Sequence, residues 1–98
     1  MTNKEYILSE MQQHKNELNS LGVVKIGLFG SYARGEQSDK SDIDILIEFA
    51  PDKETFDNYM TVYDILENIF KNERVEVVTK NSLSSHIGPK ILKEVVYA

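Results

Sequence analysis

Ile26-Gly-Leu-Phe-Gly-Ser-Tyr-Ala-Arg-Gly-Glu-Gln-Ser-Asp-Lys-Ser-Asp-Ile-Asp-Ile-Leu-Ile-Glu48 decides the fold of this chain. A small-residue turn, Gly30-Ser31, follows one apolar run, and Asp42-Ile43-Asp44 opens the next after ten residues. Side chains on a strand alternate between faces, so Asp42 and Asp44 point one way while Ile43 and Ile45 point the other. Two carboxylates on one face at a strand mouth suit a hard divalent cation held through oxygen. The Gly-Ser turn offers backbone N–H groups and a hydroxyl to phosphate. Together they outline a site for a metal-bound nucleoside triphosphate.

Working outward, residues 3–20 read as a helix, with Ile7, Met11, His14, Leu18 and Leu21 on one face and Gly22 as a stop. Val23 to Phe29 is a short β-rich run. Ser31 to Arg34 can start a short helix with Ser31 as its cap. Asp42 to Phe49 is a second strand, ended by Pro51-Asp52. Thr55 to Lys71 is the strongest helix, with a stripe of Phe56, Tyr59, Tyr63, Leu66 and Phe70 widened by Val62, Ile65 and Ile69. That stripe is wider than a small sheet needs, and Tyr59, Met60, Tyr63 and Phe70 are candidates either for core packing or for a partner surface. Arg74 to Thr79 is a third strand. Asn81 to Ser85 is a polar loop, Pro89 fits a first helical position, and Lys90 to Tyr97 reads as a closing helix. The order predicts a small α/β (α+β) domain over residues 1–98, with helices packed on a three-stranded sheet.

The 98 residues allow one domain with a modest core, and 41% hydrophobic content makes it globular. The chain has no cysteine, which excludes disulfides and thiolate metal sites and fits a reducing cytoplasm. No apolar run approaches the roughly 20 residues needed to span a bilayer, and the N-terminus lacks a signal-peptide core. A net charge of −5 argues against long DNA or RNA as a ligand.

Each candidate has a plain alternative. Asp42 and Asp44 can be solvent-facing strand residues, but aspartate is depleted in strands, and like charges on one face repel without a counter-ion. Glu76 is the sole acid in Arg74-Val-Glu-Val-Val-Thr79. It is either an edge-strand charge or the third carboxylate of a metal site, provided that the second and third strands are neighbours. Ser31 is a helix cap or a phosphate ligand. Arg34 and Lys40 contact phosphate or are simply solvated. Glu36 reads as a cap or turn residue. His14 reads as a partly buried structural histidine. His86 lies in a polar loop, and neither histidine has a partner at metal-ligand spacing. There is no Gly-x-Ser-x-Gly elbow, and the Lys-Ser/Thr of a P-loop is missing.

Gly30-Ser31, ten residues and Asp42-x-Asp44 resemble the signature of the DNA polymerase β-like nucleotidyltransferases. The fuller string Gly30 to Glu36 with Ser41 to Asp44 is similar to the minimal nucleotidyltransferases. So are Arg74 to Lys80 as a third strand and Ile91 to Tyr97 as a closing helix. The resemblance covers about Val23 to Tyr97. It implies a mixed sheet of three core strands flanked by helices, with Asp42, Asp44 and Glu76 as catalytic and metal-ligating residues. It implies Mg2+, as two ions, and ATP held by Gly30, Ser31 and Arg34. Many members carry aspartate where this chain has Glu76. It implies a HEPN-domain ribonuclease toxin as partner, with this chain as the antitoxin that transfers AMP from ATP to a toxin tyrosine.

Two other functions stay open at this stage. One is a non-catalytic antitoxin that masks its toxin. The other is a stand-alone nucleotidyltransferase acting on a small molecule. A domain of this size is expected to take its acceptor from another molecule.

Overall fold

The alternating run Ile43–Phe49 forms strand β2, which buries Ile43, Ile45, Ile47 and Phe49 on one sheet face. Val23–Phe29 forms β1, antiparallel to β2, and Val75–Thr79 forms β3, parallel to β2. The computed structural model describes residues 2–98. It adds a strand that the sequence does not announce: β4, Val96–Tyr97, antiparallel to β1. The sheet is therefore mixed and four-stranded, in the order β3-β2-β1-β4, where three strands were expected. The closing helix stops at Glu94, and Val95 turns extended at φ −63°, ψ 136°. The β-branched and aromatic pair that follows is suited to pairing on a sheet.

One face of the sheet is covered by α1 (Lys4–Gln13), α2 (Lys15–Asn19) and α4 (Phe56–Ile69). Ile7, Met11, Leu18, Val62, Leu66 and Phe70 from these helical segments meet Ile26, Leu28 and the β2 isoleucines in one cluster. Each fully buried isoleucine there contributes roughly 1.5–3 kcal/mol. Asn3 caps α1, its side chain accepting from the Tyr6 N–H at 2.8 Å. Thr55 caps α4 in the same way, accepting from the Asn58 N–H at 3.1 Å. The expected single helix over 3–20 is broken at His14, whose φ of −103° and ψ of 8° leave the helical range. His14 is partly buried, with Nδ1 3.2 Å from Glu17 Oε1.

The wide stripe of α4 is mostly core. Phe70 is buried, and Tyr59 and Tyr63 pack against the cluster. The Tyr59 hydroxyl donates to the Val77 carbonyl at 2.8 Å. Met60 stays exposed, as does Phe56.

The other face carries α5 (Gly88–Glu94), which has Pro89 in its first turn and Ile91 packed on Phe29 and Leu46. Gly27 makes this closeness possible: a Cβ there would stand 2.6 Å from Val95 Cγ2. The bare glycine lets the turn from α5 into β4 lie directly on the sheet. α5 thus covers the middle of this face and brings its last residue, Glu94, to the Gly30 end of β1.

Candidate nucleotide and metal site

Three strands bring the site together in one row. Phe29 at the end of β1 pairs with Asp44 near the start of β2, and Asp44 pairs with Glu76 on β3. Directly paired residues share a face, so Asp44 and Glu76 lie side by side on the face that carries α5. Parallel pairing of β2 with β3, which sequence reasoning could state only as a condition, makes Glu76 a neighbour of Asp44.

The electrostatics of the row follow from that crowding. Burial pushes the Asp44 carboxyl up, and Glu76 beside it, then Asp42 and Glu94, push it further, to about 6. The charged form lacks a counter-ion, and that penalty appears as a raised proton affinity.

Asp42 is held differently. Arg74 Nε lies 2.9 Å from Asp42 Oδ1, while Arg74 Nη2 donates to the Lys40 carbonyl at 3.0 Å. The Asp42 Oδ1 atom is nevertheless buried with no hydrogen-bond partner, because the Arg74 approach is close but poorly aligned. The short contact is a Coulombic one, from a largely exposed arginine. Among the described residues, no three His, Cys, Asp or Glu side chains are grouped closely enough to hold one metal ion. Asp44 and Glu76 are adjacent, and Asp42 faces Arg74.

The Gly30-Ser31 turn sits against Asp44. It opens α3 (Gly30–Arg34), a five-residue helix that Gly35 closes in the left-handed conformation at φ 73°. Gly30 itself has φ 76°, and a Cβ there would overlap Asp44 Oδ2. Only glycine fits between this turn and the aspartate. Ser31 is not the helix cap that the sequence suggested. Helix α3 starts one residue earlier, Phe29 holds the cap position without a side-chain bond, and Ser31 lies inside the first turn.

Arg34 is pinned by two acids. Its Nη1 donates to Glu94 Oε1 at 2.9 Å, and its Nε donates to Glu36 Oε1 at 2.9 Å. Lys40 contributes only its carbonyl here. Glu94 also accepts the Gly30 N–H on Oε2 at 2.8 Å. Burial alone raises the Glu94 carboxyl, but the Gly30 N–H and the Arg34 guanidinium outweigh it and hold the group below the usual range. Glu94 is the residue that sequence reading missed. It belongs to a polar turn of an amphipathic helix, and nothing in its local pattern separates it from a solvated acid.

A groove of about 230 Å³ between α2 and the β1–β4 edge, lined by Leu18, Val23, Ile26 and Tyr97, contains none of these residues.

A mixed sheet with paired acids on one strand row, set against a Gly-Ser turn, is the architecture of a nucleotidyltransferase. The chain belongs to that family: the nucleotidyltransferase domain matches residues 11–98. It is 41% identical over 98 residues to the protein adenylyltransferase MntA of Thermococcus cleftensis, covering 99% of this chain and 97% of that one. A solved structure provisionally described as a minimal nucleotidyltransferase superposes with a TM-score of 0.82 at 25% identity, covering 97% of this chain and 95% of the other. A solved complex of tri-AMPylated Shewanella oneidensis HEPN toxin with an MNT antitoxin shares the fold, with a TM-score of 0.55 at 20% identity, over 89% of this chain and 70% of that one.

Proposed function

We propose that this chain is an antitoxin that transfers AMP from ATP to a hydroxyl, a tyrosine, of a HEPN-type ribonuclease toxin. The observation that carries the reading is the row of Asp44 and Glu76 with the Gly30-Ser31 turn against it. Further support comes from the name of the Thermococcus relative and from the AMPylated toxin in the Shewanella complex.

Asp42, Asp44 and Glu76 would hold Mg2+, as two ions. Their donor set is all oxygen, and among the described residues the groups that act on the Asp44 carboxyl are all acids, which leaves it without a counter-charge. When bound, the metal supplies Lewis-acid polarisation of the α-phosphate and neutralises the departing pyrophosphate. Ser31 and Arg34 would hold the phosphates, and Gly30 lets the Asp44 carboxylate lie directly against their turn. The acceptor oxygen bonds to the α-phosphorus, and the bond from that phosphorus to the bridging oxygen breaks. The hydroxyl proton passes to a neighbouring carboxylate, for which Glu76 is the candidate.

One observation favours the non-catalytic reading, in which the chain masks its toxin. Asp42 faces Arg74, and among the described residues the acids do not converge on one point. Incubating the chain with Mg2+, α-labelled ATP and a HEPN toxin separates the two. Label on the toxin that disappears with Asp42→Asn, Asp44→Asn supports transfer. Neutralisation of the toxin by that double variant at equal expression supports masking.

A further inference from the structure

Glu94 has no role in the chemistry above, yet it bonds both ends of α3, the Gly30 N–H of the turn and the Arg34 guanidinium. Its two oxygens divide the work: Oε2 takes the Gly30 N–H, and Oε1 takes Arg34 Nη1. The first turn of a helix leaves N–H groups without intrahelical partners, and Phe29 offers no side-chain cap. A carboxylate from the far end of the chain therefore does what a capping side chain would do.

The placement of Glu94 is fixed by its surroundings. It is the last residue of α5, whose Ile91 is packed on Phe29 and Leu46. Two residues later the chain enters β4, where Val96 pairs with Leu28, two residues before Gly30. The Glu94 side chain is only 18% exposed, against 66% for Glu36, the other acid on Arg34. A charge-assisted pair with restricted water access is worth more than an exposed one. Glu94 is thus the firmer of the two holds on the arginine.

We propose that Glu94 is a positioning residue for the nucleotide. It ties the C-terminal helix to the phosphate turn and orients the Arg34 guanidinium, so that the remaining arginine donors and Ser31 face the triphosphate. The Gly30 N–H is then a structural donor and not a phosphate ligand. The inference rests on the nucleotide-binding reading of the turn.

The test is calorimetric titration of the full chain with Mg2+ and AMP-PNP, together with a melting curve for each variant. Glu94→Ala removes both bonds and is expected to weaken AMP-PNP binding by roughly tenfold or more, since Arg34 and the turn are no longer held in their binding orientation and must be ordered when the nucleotide binds. Glu94→Gln keeps one acceptor oxygen and is expected to lie between wild type and Glu94→Ala. In a double-mutant cycle, Arg34→Ala with Glu94→Ala should weaken binding by clearly less than the sum of the two single losses, because part of the Glu94 effect runs through the arginine. A merely structural role would lower the melting temperature without that coupling. If Glu94→Ala does not fold, Glu94→Gln and its cycle with Arg34→Ala carry the test. Wild-type affinity in a folded Glu94 variant overturns the inference, and so does tighter binding, which would mean that the carboxylate competes with phosphate. Absence of AMP-PNP binding by the wild-type chain overturns the nucleotide reading and this inference with it.

Discussion

Asp44 and Glu76 are direct neighbours in adjacent parallel strands, paired in register and on the same face of the sheet. Two carboxylates in that relationship repel unless a proton or a cation lies between them. Titration with Mn2+, followed by electron paramagnetic resonance or calorimetry, is expected to give binding that is lost in Asp44→Asn and weakened in Glu76→Gln. Removal of even an outer-shell partner costs about 10–100-fold in metal affinity, so loss of the Asp44 ligand should cost at least that much. Affinity should rise with pH through about pH 6, the midpoint of Asp44 deprotonation, and level off above it. Equal Mn2+ affinity in wild type and Asp44→Asn would remove the metal from this site.

The same aspartate makes stability depend on pH when metal is absent. Folded, it keeps its proton up to about pH 6; unfolded, it releases it near the ordinary value of 3.8. Between those values the folded state binds more protons, so stability falls as pH rises through the window. In buffer with EDTA, the melting temperature of wild type is expected to fall relative to that of Asp44→Asn between about pH 4 and about pH 6, with the gap then constant. Parallel curves for the two proteins would show that Asp44 titrates normally.

Gly30 is expected to be intolerant of a side chain. Gly30→Ala places a Cβ on Asp44 Oδ2 and forces alanine into a backbone conformation with φ of 76°. The left-handed conformation alone costs about 1–2 kcal/mol. Chemical denaturation should register at least that loss, and Mn2+ binding should weaken as Asp44 is displaced. Gly35 makes the control: it is also left-handed, but an added Cβ meets nothing within 4 Å. Gly35→Ala should therefore lower stability without disturbing Mn2+ binding.

The Ser31 hydroxyl carries a smaller expectation. Ser31→Ala is expected to weaken Mg2+–AMP-PNP binding by about 0.5–1.5 kcal/mol, the worth of one neutral hydrogen bond. Since Ser31 does not cap α3, the melting temperature should change little. Unchanged affinity in calorimetry would take the hydroxyl out of the site.

Much of the row is legible in the sequence. The period of two in Asp42-Ile-Asp-Ile45 predicts both acids on one face, but β2 begins at Ile43 and the row itself holds Asp44, while β-branched residues around Glu76 mark its strand. What is not legible depends on partners distant in the chain. Nothing near Glu76 says that β3 lies parallel beside β2, and nothing near Asp42 says that Arg74 reaches it. Glu94 meets Gly30 across 64 positions, and Val96-Tyr97 becomes a strand because β1 has a free edge there. The expected break between helix and turn at Ser31 is off by one residue, because the cap comes from Glu94 instead of the local sequence. The α4 stripe reads as wider than needed, since the sequence does not show that Phe70 joins the core cluster that holds Ile7 and Met11.

The central claim is transfer of AMP to a protein hydroxyl, and the most direct measurement is mass spectrometry of a HEPN toxin after incubation with this chain, Mg2+ and ATP. The expected result is a toxin heavier by one or more AMP groups, mapped to tyrosine, with no mass change when the chain is Asp42→Asn, Asp44→Asn. An unmodified toxin that is nonetheless neutralised by both forms of the chain would contradict it.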